Sequence, residues 1–257
     1  MLHIGFRYLL RVVLFLSLSV GTPGWSMAQE EPVSTPARSF SGAVSVTNKG
    51  ISTIPTFTLG KPAATFDLSL AGRRLSFEPQ LRFNLVDGRP WVFLLWWRYK
   101  VLQADRVRLH VGAHPAFSFR MTDVEREGSP SRLMEMRRFL ASEVLFTYQP
   151  SRHVSIGPYY LYSHGVDPTT TRNTHFIALN IGLHGMPLTD KLSLSILPQL
   201  YFLSLGGVTG TYITSRAVLA TAGVPISLSA MFNQSINTDI AGDPFIWNVS
   251  ATYAFGL

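Results

Sequence analysis

From Ser39 onward, apolar and polar side chains alternate with a period of two, and few folds can satisfy that pattern over such a length. Leu75, Phe77, Pro79, Leu81, Phe83 and Leu85 form one apolar series, with Ser76, Glu78, Gln80, Arg82 and Asn84 between them. Successive side chains of a strand point to opposite faces, so this segment has one greasy and one wet face. Trp91, Phe93, Leu95, Trp97, Tyr99 and Val101 repeat the pattern, opposed by Val92, Leu94 and Trp96 and then by Arg98 and Lys100. Leu109 to Phe119, Leu192 to Phe202 and Trp247 to Leu257 do the same. The alternation predicts twelve strands: 39–48, 64–71, 74–85, 89–101, 106–121, 132–149, 153–163, 174–186, 191–203, 211–221, 225–235 and 245–257. Ten is the other count, since 49–63 can add pairing and 204–221 reads two ways.

A soluble sandwich also alternates, so composition has to decide. Charged residues are 14% of the chain and hydrophobic ones 46%, against about 25% charged in an ordinary soluble domain. Beyond the first thirty residues no apolar run approaches the roughly 20 residues of a membrane-spanning helix. The strands are long, and aromatics such as Trp91, Trp97, Tyr99, Tyr160, Tyr162 and Tyr253 fall near their ends. Both features suit strands crossing a hydrocarbon layer between two aromatic girdles. An even strand number lets the sheet close without an edge, which lipid requires. The expected fold is therefore all-β: a transmembrane, antiparallel, up-and-down barrel over residues 39–257. Pro79, Pro115, Pro158 and Pro198 stand inside strands, so each must sit at a bulge or leave a ladder bond unmade.

The connections alternate between short and long, as in bacterial barrels with short periplasmic turns and longer outer loops. That places both termini on the periplasmic side. One outer turn, Val86-Asp87-Gly88, reads as a tight hairpin with Gly88 in the left-handed region.

Residues 1–28 read as a cleaved secretory signal. Arg7 and Arg11 precede the apolar run Val12 to Val20, and Ser26-Met27-Ala28 supplies small residues before Gln29. Residues 29–38 are polar, with two prolines, and read as a disordered lead-in. The absence of cysteine excludes disulfides and thiolate chemistry. The net charge of +7 is scattered rather than gathered in a stripe, so no nucleic-acid partner is expected.

The signal ending Ser26-Met27-Ala28 and the terminal strand Asn248 to Leu257, with Tyr253 and Phe255, resemble those of bacterial outer-membrane β-barrel proteins. The resemblance implies an outer-membrane location, lipid as solvent, and recognition of the last strand by the barrel-assembly machinery. Members usually end on Phe or Trp, whereas this chain ends on Leu257. Asn48 to Pro55, Leu59 to Pro62, Phe77-Glu78-Pro79 and Pro90 to Lys100 resemble a narrower, uncharacterised group of barrel proteins, which implies no known activity.

The polar face is where function is expected. Pairing Ala71 with Arg74 sets Asp67 opposite Glu78, with Arg98, Arg108 and His110 following on the next strands. These five are the expected lumen ionic cluster, either a brace for a narrow barrel or a selectivity ring. Residues 49–63 carry Ile51, Ile54, Phe57 and Leu59, too apolar for an exposed loop. This segment either folds inward as a constriction or extends the sheet above the membrane. His110 and His114 share a face without a carboxylate at ligand spacing, so no metal site is assigned. Ser163, His164 and Asp167, or the loop charges Asp123, Glu125 and Glu127, do not compose a catalytic set by adjacency alone. No cofactor motif is present. The expected function is a narrow passive channel for ions or small solutes, with a filled structural barrel or an outer-membrane hydrolase as alternatives.

Overall fold

The computed structural model describes residues 39–126 and 129–256. The signal segment, the lead-in and the C-terminal Leu257 lie outside the described residues. Twelve strands follow one another: β1 (Ser39–Thr47), β2 (Ala63–Ala71), β3 (Leu75–Asn84), β4 (Pro90–Gln103), β5 (Val107–Arg126), β6 (Ser129–Ser151), β7 (Val154–Gly165), β8 (Asn173–Pro187), β9 (Leu192–Leu205), β10 (Val208–Thr221), β11 (Ile226–Thr238) and β12 (Phe245–Gly256). Each pairs antiparallel with its sequence neighbours, and β1 pairs with β12 to close the barrel. Closure removes the unpaired edge that an open sheet would present to lipid.

The two faces follow the period-two pattern. On β12 and β11, Thr252 is 2% exposed whereas Leu228 is 55% exposed. Leu70, Trp97, Tyr99, Ile177, Leu200, Phe232, Trp247 and Tyr253 also point outward and are exposed. A soluble protein does not present so continuous an apolar surface to water. Buried side chains face the lumen, so the core of this molecule is the inside of the barrel.

The in-strand prolines each leave ladder bonds unmade. Between β2 and β3 the pairing lapses from Asp67–Gln80 to Leu70–Phe77, across Pro79. Between β4 and β5 it lapses from Leu94–Ala116 to Trp97–Ala113, across Pro115. Pro158 stands at a lapse between β6 and β7, and Pro198 at one between β8 and β9. Proline has no N–H to give, so each ladder is intact on one side only.

Twelve strands stand where the alternation sets them, with two turns tighter than expected. β5 and β6 run to Arg126 and from Ser129, so the connection expected at 122–131 is mostly strand. Gly206 and Gly207 have φ of 58° and 100° and turn β9 into β10 in two residues. Glycine tolerates that region, and a two-residue hairpin demands it. Gly88, φ 69°, takes the left-handed position at the β3–β4 turn. The β2–β3 hairpin is longer than the sequence pairing assumed. Ala71 faces Ser76, not Arg74, and Asp67 faces Gln80, not Glu78. The slip is two residues, so every side chain keeps its face.

Candidate functional site: a braced lumen beneath an outer vestibule

In the lower half of the lumen, the one nearer the start of β1, Arg98 on β4 holds two carboxylates. Its Nε donates to Glu143 Oε1 at 2.6 Å, and its Nη1 donates to Glu78. Tyr159 OH donates to the other Glu143 oxygen at 2.6 Å, and Ser76 Oγ donates to Glu78 at 2.6 Å. Four strands, β3, β4, β6 and β7, are thus tied across the lumen. The side chains of Arg98 and Glu143 are 5% and 1% exposed, so their attraction is little screened.

The Arg98–Glu143 bridge has to cross β5, and it crosses at Gly112. Gly112 is paired with Arg98 on one side and Glu143 on the other. A Cβ there would come within 2.9 Å of Glu143 Oε1 and 3.2 Å of Arg98 Cγ. Gly112→Val is therefore expected to break the bridge and cost about 1–3 kcal/mol by overpacking. Urea unfolding in detergent micelles measures it, and an unchanged midpoint would refute the crossing role.

Of the five residues expected in the ionic cluster, Glu78 and Arg98 meet directly. Asp67 is inward and half-buried, with its Oδ1 enclosed and without a hydrogen-bond partner, and Arg82, Arg216 and Arg98 are cations acting on it. His110 is inward and 8% exposed, and its Nε2 has no hydrogen-bond partner. Arg108, near the start of β5, pairs in the ladder with Thr147 and Gln103. Glu143 and Tyr159, the other half of the brace, were not among the sequence candidates. The signal for them was present, because following the β4–β5–β6 register from Arg98 leads through Gly112 to Glu143.

Above the brace lies a layer of buried rings and aliphatics: Trp96, Leu145, Tyr159, Leu161, Phe176, Tyr201 and Tyr212. Trp96 lies between Arg98, 4.3 Å from its ring, and His114, whose ring centroid is 3.8 Å away. Phe176, Tyr201 and Tyr212 continue the layer with centroid spacings of 5.0 and 4.9 Å. The facing strands β1, β11 and β12 contribute mostly smaller residues, such as Ala43, Ser45, Ser227, Thr252 and Ala254, with Met231 and Ile246 as larger ones. The lumen is therefore bulky on one side and small-lined on the other.

The β1–β2 connection, residues 48–62, closes the top of this layer. It forms a small hairpin of its own, with Ile51 bridged to Thr58 and Ser52 N donating to Phe57 O at 2.8 Å. Its tip reaches across the barrel, where the Thr56 and Tyr201 hydroxyls share a hydrogen bond of 2.6 Å. Arg82 Nη1 donates to Ser52 at 3.1 Å and Nη2 to Thr53 at 3.4 Å. Ile54 is buried in the ring layer, and Phe57 lines the space above. Ile51 and Leu59 stay at the base of the hairpin, outside that lining.

Between this hairpin and the upper walls is a vestibule of about 640 Å³. Trp96 and His114 form part of its lining, with Trp91, Phe139 and Leu161. Arg120 and Arg137 enter from β5 and β6, together with hydroxyls including Ser118, Ser163 and Thr174. Ser163 lines the vestibule, whereas His164, one residue on, lies near Asn173 Oδ1 on the opposite face. Alternation thus separates the serine from its neighbouring histidine. Asp167, in the loop after β7, accepts from the Arg138 side chain at 2.6 Å and from its backbone N–H. Those bonds hold the Asp167 carboxyl below the usual carboxylate range. Asp123 pairs with Arg132 at 3.0 Å, and Glu127 lies outside the described residues. Among the described residues, no group of three His, Asp or Glu is placed to hold a metal ion.

A closed twelve-strand antiparallel barrel, apolar outside and polar-braced within, defines the fold of bacterial outer-membrane β-barrel proteins. The comparisons with solved structures agree. An outer-membrane channel from Pseudomonas putida F1 superposes with a TM-score of 0.52 at 11% identity, covering 90% of this chain and 100% of that one. The NanC porin superposes with a TM-score of 0.53 at 11% identity, covering 84% and 100%. At that identity the likeness concerns the fold alone. No protein-family model matches the sequence, and no match is found among curated proteins.

Proposed function

We propose that the chain is a narrow outer-membrane channel for small solutes, with the β1–β2 hairpin as its constriction. Solutes gather in the outer vestibule and pass along the small-lined side of the lumen, past β1, β11 and β12. The observation that carries this reading is the hairpin itself. Its tip is fastened by hydroxyl and guanidinium hydrogen bonds to Tyr201 and Arg82. The hydroxyl bond is worth about 1 kcal/mol and each bond from the charged guanidinium about 1.5–3 kcal/mol, so the tip is held by three hydrogen bonds and the burial of Ile54. A wall designed only to fill the barrel has no need of a vestibule above it.

The buried ring layer favours a second reading, a structural barrel with a filled lumen. Planar-bilayer recording separates the two. The purified full-length protein is expected to give small discrete steps, and a variant lacking residues 51–59 several-fold larger ones. If both are silent although folded by heat-shifted gel mobility, the channel reading fails and the filled barrel stands.

A further inference from the structure

If the barrel is a channel, the charges along its path set which solutes it takes. Arg120 and Arg137 stand in the vestibule wall on adjacent strands. Arg137 Nη2 donates to Glu135 at 2.9 Å, and its Nε is buried without a hydrogen-bond partner. Deeper down, Arg82 and Arg216 turn into the lumen, Arg216 Nη2 lying 3.5 Å from Met231 Sδ, and Asp67 is a carboxylate that attracts both. Arg82 is 6% exposed, and its hydrogen bonds go to neutral oxygens of Ser52, Thr53 and Gln80. Neutral acceptors orient a guanidinium without cancelling its charge.

The carboxylates are placed differently. Glu78 and Glu143 are both taken by Arg98, and further by Ser76 and Tyr159. Glu135 accepts from Arg137, Thr122 and Thr169. Asp243, at the vestibule edge, is exposed to solvent. Glu78, Glu143 and Glu135 are thus held by donors, and Asp67, whose Oδ1 has no hydrogen-bond partner, is one carboxylate set between two arginines, so cations outnumber acids at each of two depths. Rings of arginine select anions in pores just as rings of carboxylate select cations.

We propose that the passage takes small anions, chloride and short carboxylates, in preference to cations. Arg120 and Arg137 form the first station, and Arg82 and Arg216 form the second. This rests on the channel reading. A unit charge roughly 8 Å from a water-filled path shifts the relative passage of anion and cation by about fivefold.

The test is the reversal potential across a planar bilayer under a tenfold KCl gradient, repeated with potassium acetate. It is run on the full-length protein and on the variant lacking residues 51–59. The expected potential has the sign of anion preference, with a ratio of about five. The double variants Arg82→Gln/Arg216→Gln and Arg120→Gln/Arg137→Gln are each expected to bring the ratio towards one. Arg82→Lys/Arg216→Lys, which keeps the charge while changing the hydrogen bonds, is expected to preserve it. Conductance with cation preference, or with selectivity untouched in both glutamine doubles, would overturn the proposal while leaving the channel standing. Silence of every folded variant would overturn both.

Discussion

Glu143→Ala is expected to lower the unfolding free energy of the barrel by about 3–5 kcal/mol, the usual cost of removing one partner from a buried ion pair. The size follows from what the substitution leaves behind. Arg98 keeps its charge inside the lumen, 5% exposed, with Glu78 as its remaining carboxylate. Arg98 Nη2 already has no hydrogen-bond partner, and losing Glu143 would strand Nε as well. Tyr159 OH, 1% exposed as a residue, would lose its acceptor at the same time. Removing both charges together is a different change. Arg98→Met with Glu143→Leu replaces the pair by apolar groups of similar reach, and such exchanges are often close to neutral. Urea unfolding in lipid vesicles measures both. A loss below about 1 kcal/mol for Glu143→Ala is the behaviour of an exposed pair and would remove the brace from the account.

The same residues mark how far the sequence could be read. Period two gave the strands, their faces and closure, because a face is fixed by parity and parity survives an error of two in register. That is why Asp67, Glu78, Arg98 and His110 all point inward although Asp67 faces Gln80 rather than Glu78. Partners do not survive such an error. Glu143 escaped notice because its link to Arg98 spans two strands and passes over a glycine, a relation that exists only once three registers are summed. That residues 48–62 turn inward was legible in composition, since Ile51, Ile54, Phe57 and Leu59 are too apolar for a loop in water. Which of them enters the lumen depends on the hairpin's own pairing, Ile51 with Thr58, and that put Ile54 at the buried tip. The β5–β6 ribbon was underestimated because its upper part lacks an apolar face, and polar alternation reads as loop.

A shared barrel says little about the solute, because function lives in the lumen side chains and not in the wall. Two structures at 11% identity share the wall with this chain. In this chain the interior is filled unequally, with rings from β4 to β10 and, Met231 and Ile246 apart, smaller residues from β11 through β1. On the channel reading, that inequality makes the passage eccentric, and it makes the bulky side a place where single substitutions change both stability and flow.

Trp96→Ala puts that to the sharpest test. Trp96 is 0% exposed, lines the vestibule, and touches the His114 ring at a tilt of 48° while Arg98 lies over the indole ring. Deleting a buried ring of this size costs about 3–5 kcal/mol in a packed core. The low end is expected here, because Trp96 Nε1 has no hydrogen-bond partner and its burial already costs about 1–3 kcal/mol. A residue kept despite an unsatisfied donor is kept for its shape, and the shape separates the vestibule from the braced half below. Its removal is therefore expected to reduce stability and to raise single-channel conductance in the same protein. A core that merely fills the barrel would show the first effect without the second. Conductance equal to wild type in a folded, destabilised Trp96→Ala protein would mean that the ring does not bound the path, and the passage would have to be sought elsewhere in the lumen.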